Sequence, residues 1–145
     1  MPHDIPHLLR ASHITIPVAW GEMDALGHVN NVVYFRYMES ARVAFLRGIG
    51  WDRMDPSRQG VGFILQNVNC RFRRPVEFPD TLKVTARLVS IEADRFTLEH
   101  EVISEKLNDV AALGAGTIVV YDYPNARKID MPSEMRERLE ASRVG

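Results

Sequence analysis

The sequence predicts an α+β domain in which one long antiparallel sheet wraps around one central buried helix. Three observations carry this. The stretch that begins at Asn31 is apolar on nearly every side of a helical wheel. The segments that follow alternate apolar and polar residues over strand-like lengths. The chain, at 145 residues, holds one domain with a real hydrophobic core.

Residues 1–11 carry two prolines and no periodicity, which predicts a loose lead-in to a single domain spanning 1–145. Ser12–Ala19 is β-branched and alternating, and Pro17 places it at an edge or a strand end. A glycine-containing loop, Gly21–Val29, precedes the helix, which runs from Asn31 to Arg47 and is ended by Gly48 and Gly50. After Asn31 its polar residues are only Arg36, Glu39, Ser40, Arg42 and Arg47, so it requires cover on most sides. Gly60–Phe72 supplies the first long strand after it. Thr81–Ile91 places Leu82, Val84, Ala86 and Leu88 on one face, and Glu92-Ala93-Asp94 turns the chain. Phe96, Leu98, His100 and Val102 then share a face, Asn108-Asp109 turns again, and Val110–Tyr121 is the last strand. These segments read as an antiparallel meander. A short amphipathic helix from Met131 closes the chain.

Composition narrows the function. Lys plus Arg number 18 against 19 Asp plus Glu, a net charge of −1, which gives no electrostatic footprint for nucleic acid or a membrane surface. No apolar run approaches the roughly 18 residues of a membrane span. The single Cys70 fits a reducing compartment, and no secretory signal pattern is evident, so the expected location is the cytoplasm.

The chemistry gathers at Trp20–Arg42. Asp24 stands on the loop just ahead of Asn30-Asn31, where the helix starts. A helix start offers unpaired backbone N–H groups and a partial positive charge. A carboxylate beside such donors suits acyl transfer, with one group to attack or activate water and another to hold a developing oxyanion. Taken alone, Asp24 reads first as an Asx-turn or capping residue, and one of the two asparagines is an N-cap. His28 orients Asp24, touches substrate or carries a proton; otherwise it is a loop imidazole on a backbone carbonyl. Asp24 and His28 have no third ligand at a sensible spacing, so no metal is expected. Glu39 and Arg42 are spaced to pair with each other. Cys70 reads as a buried thiol and His100 as a satisfied core or interface histidine. Gly114 and Gly116 on the last strand give room for a thin ligand arm or mark a bulge.

The run Asp24-Ala-Leu-Gly-His-Val-Asn-Asn-Val-Val-Tyr-Phe-Arg-Tyr-Met-Glu-Ser-Ala-Arg42 resembles the hotdog-fold acyl-CoA thioesterases, closest to the 4-hydroxybenzoyl-CoA and Tol-Pal-associated thioesterase branch. The turn Arg73-Arg-Pro-Val-Glu-Phe-Pro-Asp80 and the tail Arg127–Leu139 are similar to family segments as well. The resemblance implies a hydrolase that splits an acyl-CoA thioester into free acid and coenzyme A. Asp24 matches the family's nucleophile or general base. Asn31 matches the residue whose backbone N–H polarises the carbonyl, at a position where the Tol-Pal-associated branch commonly has a histidine. The implied site holds Asp24, Asn31 and His28 as catalytic positions and Gly27, Asn30 and Tyr34 as substrate contacts. Arg73 and Arg74 are the candidates for the phosphates of coenzyme A, which need cations. Coenzyme A belongs to the substrate, and no cofactor is implied. A homodimer or homotetramer with sites between subunits is implied too. The rivals are a non-catalytic acyl-binding or interaction hotdog protein, a dehydratase or hydratase of that fold, and a thioesterase using Glu39 on the helix.

Overall fold

A computed structural model describes residues 12–51 and 59–143. The predicted lead-in, 1–11, lies outside them. The strands are β1 (Ser12–Pro17), β2 (Val61–Phe72), β3 (Thr81–Ile91), β4 (Arg95–Ser104), β5 (Asp109–Asp122) and the short β6 (Arg127–Lys128). The helices are α1 (Asn31–Gly48) and α2 (Ser133–Ser142), and Trp20–Glu22 forms one 3-10 turn. The strands make one antiparallel sheet in the order β1-β3-β4-β5-β2, with β6 added to β5.

Strand extents follow the period-two pattern, and the predicted core face of β4 is buried at Phe96, Leu98, His100 and Val102. Pro17 ends the edge strand β1, where its missing N–H costs no ladder bond. The meander holds only for β3, β4 and β5. β2 precedes them in sequence yet pairs with β5 at the opposite edge, from Val61 with Asp122 to Phe72 with Ala112. The segment 73–80 must therefore carry the chain back to β3. On its way it meets the loop before α1, where Val29 N–H donates to Val76 O at 2.8 Å. Val76 itself is fully buried.

The helix is covered on one side only, which corrects the expectation of burial on most sides. Tyr34, Tyr37, Met38, Ala41, Arg42 and Phe45 form the buried stripe, at the i, i+3, i+4 spacing of a single face. Val32 and Val43 are exposed, as are Ile64, Leu65 and Phe72 on β2. The end of α1 is a Schellman turn: Trp51 N–H reaches Leu46 O, Gly50 N–H reaches Arg47 O, and Gly50 takes φ +78°.

The two glycines of β5 serve packing of the helix on the sheet. A Cβ on Gly114 would overlap Met38 Sδ and lie 2.6 Å from Asn69 O, and one on Gly116 would lie 3.2 Å from Arg42 Nη1. Neither the ligand-arm nor the bulge reading of this pair is needed, since β5 keeps register with β2 and β4 through both positions.

Arg42 turns inward instead of pairing with Glu39, which acts on it only as a nearby charge. Its Nη1 lies 3.4 Å from His100 Nε2, and His100 Nδ1 lies 2.9 Å from Thr85 O. A neutral imidazole satisfies both contacts, donating from Nδ1 to Thr85 and accepting at Nε2. Burial pulls His100 down to about 4; the Thr85 carbonyl opposes this and the Arg42 charge adds to it. An unfolded histidine titrates at about 6.5. Between those values the unfolded chain binds a proton that the folded chain refuses. The contribution of His100 is therefore full above pH ~6.5 and is lost as the pH falls toward 4, by on the order of 3 kcal/mol. Melting temperature against pH should show a shallower acid-side decline for His100→Gln, which keeps a donor for Thr85, than for wild type.

Candidate active site

Local chemistry builds the loop before the helix. Met23 and Val29 form an antiparallel bridge, and Asp24 N–H donates to His28 O at 2.7 Å. That leaves a three-residue hairpin loop, Ala25-Leu26-Gly27, whose last residue must take a left-handed conformation. Gly27 does so with φ +80°. The Asp24 carboxylate closes the turn from inside: Oδ1 accepts from Leu26 N–H at 2.8 Å and from His28 N–H at 3.3 Å. The ordinary Asx-turn role is thus real, and it occupies one oxygen. Among the described residues nothing donates to Oδ2.

A carboxylate clamp fixes this loop to the helix. Glu22 Oε1 accepts from Ala19 N–H and from the Tyr37 hydroxyl, both at 2.8 Å, while Glu22 O accepts from Asn30 N–H at 2.9 Å. Burial and the neighbouring Glu22 push the Tyr37 phenol far above its ordinary range, so it remains a donor. Tyr37 reads from the sequence as a core tyrosine with a bonded hydroxyl, as found, but Glu22 as its partner did not stand out. The only signal was the placement of a tyrosine two turns into a buried helix.

At the helix start Asn30 is the N-cap, its side chain accepting from Val32 N–H at 3.2 Å and its carbonyl from Val33 N–H at 2.9 Å. The N–H of Asn31 is left with no acceptor among the described residues. It is the free donor that a helix N-terminus offers.

Asp24, His28, Asn31, Tyr34, Arg73 and Arg74 line one cavity of about 430 Å³, together with Val29, Phe72 and Pro75. Six of the eight positions named from the sequence therefore meet in one place. Asn30 points its side chain into the cap. Gly27 instead lines a second hollow of about 540 Å³, with Trp20, Gly21, Met23, Asp24, Ala25 and Phe78. Asp24 is the residue common to both.

The cavity has an apolar wall and a cationic rim. Tyr34 packs edge-on against Phe72, ring centres 5.1 Å apart, and burial raises its phenol. Arg74 is paired with Asp109 at 3.2 Å, whereas Arg73 has no ion pair among the described residues. His28 Nε2 stands 3.9 Å from Glu77. Cys70 is half-buried, and burial raises its thiol. No group of three His, Cys, Asp or Glu that would hold a metal ion occurs among the described residues. No helix there is long and apolar enough to cross a membrane.

Comparison with known proteins points to one family. The model of the thioesterase-like superfamily matches residues 18–139. The long-chain acyl-CoA thioesterase FadM of Escherichia coli is 27% identical over 132 residues, covering 86% of this chain and 94% of its own. A thioesterase from Thermus thermophilus, solved with coenzyme A and zinc, is 29% identical with a TM-score of 0.76, over 90% of this chain and 92% of that one. A gentisyl-coenzyme A thioesterase structure matches in fold with a TM-score of 0.77 at 24% identity, over 88% of this chain and 98% of that one.

Proposed function

This chain belongs to the thioesterase-like superfamily, and on that premise we propose that it hydrolyses acyl-CoA thioesters: acyl-S-CoA and water give a carboxylic acid and coenzyme A. The observation that carries the proposal is the convergence, in one cavity, of a half-buried carboxylate with a free oxygen and a helix-start N–H with no acceptor among the described residues. The thioester carbonyl sits with its oxygen toward the Asn31 N–H. Either Asp24 Oδ2 adds to the carbonyl carbon, or it removes a proton from a water that adds. In both routes the C=O electron pair moves onto oxygen, where the Asn31 N–H and the helix dipole stabilise it, a donor effect of about 3–4 kcal/mol in comparable sites. The C–S bond then breaks and the thiolate leaves. By the first route a mixed anhydride between the acyl group and Asp24 remains, and water hydrolyses it. His28 lines the same cavity and is the candidate to share in proton transfer, and Arg73, unpaired among the described residues, is the cation for the phosphate-bearing end.

The working unit is a homodimer. β2 is an edge strand of twelve residues, and Ile64, Leu65, Phe72, Val32 and Val43 leave apolar surface beside it exposed. A second copy on that edge joins two sheets and sets two α1 helices side by side. The single cysteine fits work in the cytoplasm. Release of free thiol from acyl-CoAs by wild type, compared with Asp24→Asn, tests the reading.

A further inference from the structure

Glu22 does not line the Asp24 cavity, yet it is tied to both of the segments that build it. Along the chain it directly precedes Met23, whose bridge to Val29 forms the root of the hairpin that carries Asp24. Across space it holds the helix twice. Its carbonyl accepts from Asn30 N–H at 2.9 Å, and its Oε1 accepts from the Tyr37 hydroxyl at 2.8 Å. The same oxygen accepts from Ala19 N–H at 2.8 Å, which fixes the carboxylate against its own turn. Among the described residues the Tyr37 hydroxyl makes the one side-chain hydrogen bond from α1 to the loop.

Two attachments do what one cannot. The bond at Asn30 alone would let the helix start pivot, because the peptide carrying the Asn31 N–H begins there. Tyr37 stands six residues beyond Asn31, about 9 Å farther along the axis at 1.5 Å per residue. A second bond at that distance removes the pivot. Tyr37 passes the restraint to the body of the helix, since its ring is buried and packs edge-on against Tyr34, centres 5.9 Å apart, and Tyr34 lines the cavity. We propose that Glu22 is a positioning residue for the reaction, which through Tyr37 sets the distance and angle between the Asp24 carboxylate and the Asn31 N–H. Attack and oxyanion stabilisation are sensitive to such geometry, a misplacement of about 1 Å costing on the order of 10²-fold in rate.

Such a role rests on the thioesterase reading, and the experiment separates the two. Thiol release from octanoyl- and palmitoyl-CoA gives kcat and KM for wild type, Asp24→Asn, Tyr37→Phe, Glu22→Gln, Glu22→Ala and the Glu22→Ala/Tyr37→Phe double variant. Melting curves check that each is folded. Tyr37→Phe keeps the buried ring and removes only the clamp bond, so kcat should fall about tenfold with KM nearly unchanged, less than the ~10²–10³ of losing an oxyanion donor outright. Glu22→Ala should fall at least as far, and the double variant no farther than Glu22→Ala, because both cut one linkage. Glu22→Gln, whose amide oxygen accepts the same two bonds, should recover most of the loss. Adding Tyr37→Phe to Asp24→Asn should also move the carbonyl stretch of a bound, isotope-labelled thioester back toward its solution frequency, which a clamp that merely stabilised the fold would not do. An unchanged kcat in Tyr37→Phe, additive losses in the double variant or an unmoved band overturns the positioning role, and the thioesterase reading stands if Asp24→Asn is inactive. Absence of thiol release by wild type on both substrates overturns both.

Discussion

Replacing Asp24 by Asn is expected to leave the fold intact and to cut turnover by about 10²–10⁴-fold, the usual worth of a positioned base. The substitution is clean because of how the side chain is divided. Oδ1 holds the turn by accepting from the Leu26 and His28 N–H groups, and an asparagine carbonyl accepts those same two bonds. What disappears is the charge and the nucleophilic character of the second oxygen. Melting temperature should therefore stay close to wild type while thiol release collapses. Ala at the same position would confuse the two effects, since the turn would lose its inner acceptor and the loop would shift against Asn31. Activity near the wild-type level in Asp24→Asn would move the chemistry elsewhere, and Glu39, exposed on α1 away from the cavity lining, would be no better placed.

Gly114→Ala should be the most damaging small change in the sheet. Its new methyl would press on Met38 Sδ and on the backbone oxygen of Asn69. A methionine end can swing aside, but a ladder carbonyl cannot, so β2 must yield. Overpacking of this kind costs about 1–3 kcal/mol, or several degrees in melting temperature at roughly 2–4 °C per kcal/mol for a domain of this size. Gly116→Ala is the control. Its methyl meets side-chain atoms alone, the nearest being Arg42 Nη1 and Leu65 Cδ1 at 3.2 and 3.3 Å, both ends of flexible side chains, and it should cost less than half as much. Adding Met38→Ala to Gly114→Ala should recover only part of the loss, because the Asn69 contact remains. Thermal or urea unfolding of the four proteins reads this directly, and equal effects at the two glycines would contradict the packing described.

What could be read from the sequence was what local chemistry encodes. Asp24-Ala-Leu-Gly27 specifies its own turn through an Asx bond and a left-handed glycine, and Asn30 caps its own helix. The period-two pattern marks the strands Thr81–Ile91 and Arg95–Ser104 because each needs only one buried face. Partners distant in the chain were not legible. Nothing within Val61–Phe72 says that its neighbour is β5 at the far edge, since alternation fixes a face and not an adjacent strand. Arg42 looked like half of a surface pair because the space that admits it, over Gly116, is supplied by a strand late in the sequence. The Glu22–Tyr37 clamp escaped for the same reason, since only the fold brings the loop and the helix together.

The central claim is that the helix start at Asn31 receives and polarises the thioester carbonyl. Isotope-edited difference infrared spectroscopy of an acyl-CoA carrying ¹³C at that carbonyl, bound to Asp24→Asn so that it is not consumed, observes the bond itself. A donor at the oxygen weakens the C=O bond, so the account predicts a stretch at lower frequency than that of the same thioester in water. A band at the solution frequency or above it would contradict it.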